Sequence, residues 1–199
     1  MIDAIYYINL DKRTDRLAEI CSELDKMDLS GGIRFPAIPH SNGIVGCGYS
    51  HLEVLRIARK RKLRNILIFE DDFEFLISKE EFQAFLRDFF TSGQPFDVLM
   101  LSYSLHNAKP WNSLVQRVYF AQTASGYLVN ETMFDRLIEL YETNIPILEQ
   151  TGKHWIYAND IIWKSLQGDN SLWFATNTRI GRQRASFSDN SQQFCDYGI

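Results

Sequence analysis

Cysteine is scarce in this sequence, and its spacing excludes the frameworks that cysteine usually builds. The three cysteines, Cys21, Cys47 and Cys195, are an odd number, and none belongs to a CxxC pair. This argues against a disulfide framework and a zinc site, and it favours a reducing or simply non-secretory setting. No apolar run reaches the roughly 18 residues that a membrane-spanning helix needs, so we expect no transmembrane segment.

A surplus of positive charge is also missing. The formal net charge is −4 over 199 residues, which argues against a nucleic-acid partner bound by bulk charge. The chain enters a strand-like pattern directly after Met1, without a signal-peptide core, so we expect a soluble, cytoplasmic chain, whether or not it is part of a longer protein. The length and a hydrophobic fraction of 45% predict a single domain over residues 1–199 with a substantial core.

The strongest functional signal is an apolar run that leads straight into acidic residues. Residues 66–69 are typical of a strand buried on both faces, and Glu70, Asp71 and Asp72 follow at its carboxyl end, where open α/β sheets bind ligands. Adjacent carboxylates beside an apolar wall need a compensating positive charge. Oxygen ligands with no His or Cys beside them favour Mg²⁺ or Mn²⁺ over Zn²⁺. We therefore predict a metal or metal-diphosphate site; the alternative is that these acids, with Glu74, form a solvated turn.

Buried apolar runs alternate with amphipathic patterns along the chain, which predicts an α/β sandwich. Strands are predicted at residues 5–8, 33–38, 66–69, 98–101 and from residue 118, followed by mostly small residues at 123–127. Helices are predicted around Leu17 to Met27, Leu52 to Ala58, Phe82 to Phe89, Met133 to Tyr141 and Trp155 to Leu166. The polar segment 104–114 is predicted to be a loop long enough to shape a substrate pocket.

Two further groups of residues have ligand-binding character. Arg13 and Arg16 lie three apart near the start of the first predicted helix, where cations oppose the helix dipole and favour an anionic partner. The alternative is that both are ordinary surface arginines. The glycines at 43, 46 and 48 permit close approach of the backbone to a ligand, and His51 follows them early in a helix. A structural hydrogen bond is the alternative role for His51.

Four stretches in this order resemble glycosyltransferase family 25, which contains bacterial lipooligosaccharide β-galactosyltransferases and collagen hydroxylysine galactosyltransferases. They are YINLD at 7–11 with Arg13 and Arg16, VGCGYSH at 45–51, IFEDD at 68–72, and Gln183 with Ser188 and Asp189. Residues 123–128 resemble the family's small-residue strand before a helix. Together the stretches span nearly the whole chain, and their ordered combination is specific.

The resemblance implies a GT-A fold, which is a Rossmann-like α/β fold with a mixed, mainly parallel sheet flanked by helices. It implies a Mn²⁺- or Mg²⁺-dependent, inverting transfer of a hexose such as galactose or glucose from a UDP-sugar to a hydroxyl of a glycan or protein, as in lipopolysaccharide biosynthesis. It also implies that Asp72 and Glu70 face the metal. The implied donor-binding residues are Asn9, Arg13, Arg16, Gly46, Ser50, His51, Glu70 and Asp71.

Inversion also requires a general base on the acceptor hydroxyl, opposite the leaving group. Asp160 and Asp189 are the candidates, and Asp160 follows two aromatic residues, Trp155 and Tyr157, that can stack on a sugar. The ordinary alternative for Asp160 is an acid at a helix start. A second hypothesis for the whole chain is a catalytically inactive GT-A-like domain that binds a nucleotide or glycan, although retention of all three acids argues against it.

Overall fold

The described part of the chain builds one main sheet and two short strand pairs. The structure is a computed structural model, and it describes residues 1–169, 171–188, 193–196 and 198. The strands are β1 (Ala4–Asn9), β2 (Ile33–Pro36), β3 (Asn65–Glu70), β4 (Phe73–Phe75), β5 (Val98–Met100), β6 (Ser104–Pro110), β7 (Val115–Gln122), β8 (Gly126–Asn130), β9 (Trp173–Thr176), β10 (Gly181–Gln183), β11 (Ser186–Ser188) and β12 (Gln193–Cys195). β4 pairs with β10, and β11 pairs with β12.

The main sheet has eight strands in the order β2-β1-β3-β8-β5-β9-β7-β6 within the described residues. Its pairings leave β8 and β7 antiparallel to the other strands, which all run in one direction. β1 and β3 are parallel neighbours with Ile8 opposite Glu70, so both strands end at the same edge. The predicted α/β fold with a mixed, mainly parallel sheet flanked by helices is confirmed.

Helices cover both faces of this sheet. They are α1 (Thr14–Lys26), α2 (Gly43–Lys60), α3 (Lys79–Thr91), α4 (Glu131–Thr151), α5 (His154–Tyr157), α6 (Asn159–Ile162) and a 3₁₀ turn, η1 (Trp163–Leu166). Asn130 caps α4 by accepting a hydrogen bond from the Thr132 amide. In the part of the chain that the structure describes, no helix is both long and apolar enough to cross a membrane.

The core lies in two layers, one on each face of the sheet. On β3, Ile66 and Ile68 pack into the layer that contains residues of α2 and α4. The alternate residues Leu67 and Phe69 pack into the layer that contains residues of α1 and α3. All four side chains are fully buried, because successive side chains of a strand point to opposite faces. The prediction that this strand is buried on both faces is confirmed.

Two sequence predictions about local structure are wrong. Residues 104–114 are not a loop: β6 occupies most of the segment and forms a hairpin with β7. β6 lies at the edge of the sheet and is largely solvent-exposed, so its sequence carries little of the apolar pattern of a buried strand. The predicted helix 155–166 is divided into α5, α6 and η1, because Ala158 has an extended conformation (φ −60°, ψ 147°).

Candidate functional site

The acidic turn is fixed to the sheet by an aromatic side chain. Glu70 ends β3, Asp71 and Asp72 form the turn, and Phe73 begins β4. The Phe73 ring is fully buried and lies where a side chain on Gly126 or on Gly181 would overlap with it. Both positions therefore require glycine, and their close packing holds the acidic turn between β8 and β10.

Asp71 is held from the neighbouring strand β1. Asn9 donates a hydrogen bond from Nδ2 to Asp71 Oδ2 at 2.7 Å. The Asn9 Oδ1 atom accepts from Arg34 Nη2 at 2.9 Å, and Arg34 also pairs with Asp11 at 2.6 Å. Burial raises the pKa of Asp71, against the opposing effect of Arg16. Sequence reasoning placed Asn9 at this site but missed Arg34, whose only signal is a charged residue within the short strand β2.

The two arginines near the start of α1 have different partners. Arg16 Nη1 donates to Asp71 Oδ1 at 3.0 Å and to Asp72 Oδ2 at 3.1 Å, and all three side chains are largely buried. Arg13 pairs with Asp15 at 2.8 Å. The structure therefore places Arg16 at the acidic turn. The anionic partners that the sequence predicts for this arginine are Asp71 and Asp72. Donor binding by either arginine stays a prediction.

Asp72 is an incompletely satisfied buried carboxylate. Its Oδ2 atom accepts hydrogen bonds from Arg16 and from Gln183 Nε2, the latter at 3.0 Å. Its Oδ1 atom is buried and has no hydrogen-bond partner among the described residues, and the residue is only 4% exposed. Burial, together with the nearby Glu70 charge, raises the pKa of Asp72 to about 7. A bare oxygen in a cluster of carboxylates fits a divalent cation, which would satisfy it and offset the buried negative charge.

Glu70 faces a histidine and a cysteine on α2. His51 Nε2 lies 3.0 Å and Cys47 Sγ 3.4 Å from Glu70 Oε1, and the other His51 ring nitrogen contacts the Tyr127 hydroxyl at 2.9 Å. Burial acts to raise the pKa of Glu70. The hydrogen bonds from His51 and Cys47, together with the electrostatic effects of His51 and Arg16, outweigh burial and lower that pKa. The expectation that no His or Cys lies beside the acids is wrong. Cys47 and His51 are four apart on one helix, so both face the end of β3.

Gly46 and Ser50 hold the segment that precedes α2. A side chain on Gly46 would overlap with the Ile38 carbonyl oxygen. The Ser50 hydroxyl accepts from the Ile38 amide at 2.8 Å and donates to the Gly46 carbonyl at 2.7 Å. Both residues thus make close contacts within the protein, and donor binding by either stays a prediction.

Asp160 belongs to the same cluster, although it comes from a distant part of the chain. It lies in the first turn of α6, and its Oδ2 atom accepts a hydrogen bond from the Thr123 amide at 3.2 Å. Thr123 has a φ of +92°, a strained value for a β-branched residue, and no sequence signal indicated it. Burial raises the pKa of Asp160, and the Glu70 charge adds to this. The other candidate base, Asp189, lies outside the described residues.

The sequence model described as glycosyltransferase family 25 (LPS biosynthesis protein) matches residues 36–151, more than half of the chain. This chain belongs to glycosyltransferase family 25. It is therefore a glycosyltransferase. The match contains the segment around Gly46 and His51 and the whole acidic turn, whereas Arg16 and Asp160 lie outside it. The structure brings Arg16 to the acidic turn, although it precedes the matched residues.

One solved structure with a TM-score above 0.5 supports the fold, and two others are more distantly similar. A glycosyltransferase involved in the glycosylation of the major capsid of PBCV-1 is 10% identical, with a TM-score of 0.52 over 95% of each chain. GlyE of Streptococcus pneumoniae TIGR4 is 10% identical with a TM-score of 0.48, over 89% of this chain and 45% of that one. A197 from STIV is 12% identical with a TM-score of 0.47, over 88% and 81%. Of these three, only the first exceeds 0.5, and at this identity it is evidence on the fold alone. No curated protein matches the chain.

Proposed function

We propose that this family 25 glycosyltransferase transfers a hexose, such as galactose or glucose, from a UDP-sugar to a hydroxyl of a glycan or protein, using Mn²⁺ or Mg²⁺ and inverting the anomeric carbon. The observation that carries the proposal is the buried Oδ1 atom of Asp72, which has no hydrogen-bond partner among the described residues and lies beside two further acids. Such an arrangement is costly in an empty site and is satisfied by a cation.

Asp72 and Glu70 are the residues that would hold the cation. Among the described residues, the hydrogen bonds to Glu70 fall on Oε1, which leaves its Oε2 atom available as a second oxygen ligand. When bound, the cation offsets the negative charge that develops on the departing nucleoside diphosphate. Hard oxygen ligands suit Mn²⁺ and Mg²⁺.

Arg16 and Asn9 are the proposed donor-binding residues, and both lie at the edge of the sheet that carries the acidic turn. Arg16 already contacts both Asp71 and Asp72, so its guanidinium lies directly at the proposed cation site. A guanidinium forms two parallel hydrogen bonds to phosphate, which a lysine cannot reproduce. We therefore assign Arg16 to the diphosphate, with Arg13 beside it at the start of α1, and Asn9 with Asp71 to the remainder of the nucleotide.

Asp160 is the proposed general base. A general base works best when its pKa lies near the operating pH, and burial raises the pKa of Asp160 in that direction. The Thr123 amide fixes one of its oxygens. Trp155, five residues earlier, is 63% exposed and offers an aromatic face for an acceptor sugar. Asp189 remains the second candidate.

Donor binding is the first test of the proposal. Thermal unfolding is measured with UDP-, GDP- and CMP-sugars, each with and without Mn²⁺. A ligand at a hundred times its dissociation constant adds about 2.7 kcal/mol of stability, so we expect a clear Mn²⁺-dependent shift with a UDP-hexose. Folded protein that shows no shift with any of these nucleotides would contradict the proposal.

Asp160→Asn tests the role of the base separately. The variant should keep the donor-dependent thermal shift, while transfer to an acceptor falls by about 10²- to 10⁴-fold. NMR of the wild-type product should show an inverted anomeric configuration. Retention of configuration, or full activity of Asp160→Asn, would refute this assignment. Donor binding without hydrolysis or transfer, over a broad panel of acceptors, would indicate a catalytically inactive domain.

A further inference from the structure

A second set of metal-ligating atoms lies on the α2 side of Glu70. Cys47, His51 and Glu70 each offer one ligand atom, and these atoms all lie within 4.8 Å of one another. The set differs in chemistry from the oxygens of Asp72, because it combines a thiol, an imidazole and a carboxylate. Such mixed sulfur, nitrogen and oxygen ligands favour zinc and similar borderline or soft cations over Mn²⁺ or Mg²⁺.

Two of the three separations between these atoms lie close to the edges of a tetrahedral zinc site. Zinc lies about 2.3 Å from sulfur and about 2.0 Å from nitrogen and oxygen ligands, so tetrahedral angles put sulfur about 3.5 Å and nitrogen about 3.3 Å from the oxygen. The corresponding separations here are 3.4 Å for Cys47 Sγ to Glu70 Oε1 and 3.0 Å for His51 Nε2 to Glu70 Oε1. The third separation, from Cys47 Sγ to His51 Nε2, is at most 4.8 Å.

The surroundings of His51 also resemble those of a metal-bound histidine. Such residues use their second ring nitrogen to bond an outer partner that fixes the ring. Here His51 Nδ1 lies 2.9 Å from the Tyr127 hydroxyl, the two rings stack, and both residues are fully buried. Cys47 and His51 share one face of α2, a long helix, so the two ligands are already positioned.

We propose that Cys47, His51 and Glu70 form a binding site for Zn²⁺ or a cation of similar softness. It shares Glu70 with the proposed cation site at Asp72 but uses the other carboxylate oxygen, Oε1. Binding replaces the Cys47 thiol proton, which leaves to solvent. It also moves the single His51 ring proton from Nε2 to Nδ1, which then donates a hydrogen bond to the Tyr127 hydroxyl oxygen. A fourth position is left for water. Because Glu70 also belongs to the proposed donor site, zinc should inhibit transfer; this consequence alone rests on the proposed function.

Direct binding of the metal tests the site without any nucleotide. Equilibrium dialysis of the folded chain against micromolar Zn²⁺ should show one bound equivalent. Cys47→Ser should weaken zinc binding by more than about 100-fold, because loss of a direct ligand exceeds the roughly 10- to 100-fold cost of losing an outer partner, which we expect for Tyr127→Phe. Cys21→Ser is the matched cysteine control. His40→Gln is a histidine control and should leave zinc binding unchanged. His40 also contacts a glutamate, Glu149, but it does not belong to the set.

Cobalt provides a test on the unmodified protein that no variant's folding can confuse. Co²⁺ bound at this site should show a thiolate-to-metal charge-transfer band and the intense visible absorption of tetrahedral cobalt, and Zn²⁺ should displace it. Failure of the folded protein to take up zinc, bound cobalt without the thiolate band, or zinc binding unchanged in Cys47→Ser would each overturn the proposal. Because these readouts use metal alone, they fail or succeed independently of the transferase proposal.

Discussion

Replacing Asp72 by asparagine should stabilise the metal-free protein at neutral and higher pH. The carboxylate is almost completely buried, one of its oxygens has no partner among the described residues, and Glu70 and Asp71 add negative charge nearby. Asparagine keeps nearly the same shape without the charge. A substitution that raises stability but abolishes activity is characteristic of a functional site whose residues are not optimal for stability.

The magnitude follows from the pKa of Asp72, which burial raises from 3.8 to about 7. Each pKa unit corresponds to about 1.4 kcal/mol, so ionising Asp72 in the folded protein costs at most about 4 kcal/mol. Because the folded-state pKa is raised, the protonated group contributes stability below pH 4, and that contribution is lost as the pH rises through 7. The advantage of Asp72→Asn should therefore be small at pH 4 and reach about 2–4 kcal/mol at pH 8.

The assay is urea unfolding of wild type and Asp72→Asn at several pH values between 4 and 8, with a chelator present. Asp25→Asn, an exposed change on α1, is the matched control and should alter stability by less than about 0.5 kcal/mol. Adding Mn²⁺ should stabilise the wild type but not Asp72→Asn. A variant that is no more stable than wild type at pH 8, or a difference that does not grow with pH, would refute the reasoning.

Two further predictions concern the packing around the acidic turn. Gly126→Ala should lower the free energy of unfolding by about 1–3 kcal/mol, because its methyl group would overlap with the Phe73 ring. Gly31→Ala, at an open position, is the control. Equal urea midpoints for the two variants would contradict this prediction. Ser102→Ala should cost about 1–3 kcal/mol in urea unfolding, because it removes the 2.6 Å hydrogen bond to the buried Ser125 hydroxyl. The double variant with Ser125→Ala should recover part of that loss, and strict additivity would argue against the pair.

Much of the site was predictable because its signals are local in the sequence. The buried run 66–69 and the acids that follow it are contiguous, and the structure places Glu70, Asp71 and Asp72 at the predicted strand end. The predicted parallel sheet brings the ends of its strands to one edge, and the structure places Asn9 there, on β1, which pairs with β3. Helix periodicity likewise placed Arg16 near the start of α1.

The parts that were missed depend on contacts between distant segments or on the absence of burial. Thr123 contacts Asp160, and Cys47 contacts Glu70. The residues of each pair are far apart in the sequence, and they come together only when the sheet has formed. β6 escaped prediction because an edge strand meets solvent and needs no alternating apolar residues. The break at Ala158 carries no proline or glycine signal, although it creates the separate helix start at which Asp160 lies.

The most direct test of the proposed function is the release of UDP from a panel of UDP-hexoses, measured with Mn²⁺ or with chelator, in wild type and Asp72→Ala. We predict Mn²⁺-dependent release with at least one donor, increased by a glycan or protein acceptor. In Asp72→Ala the rate should fall by about a thousandfold, which corresponds to roughly 4 kcal/mol of transition-state stabilisation. Undiminished, metal-independent turnover by folded Asp72→Ala would contradict the assignment of the acidic turn as the catalytic centre.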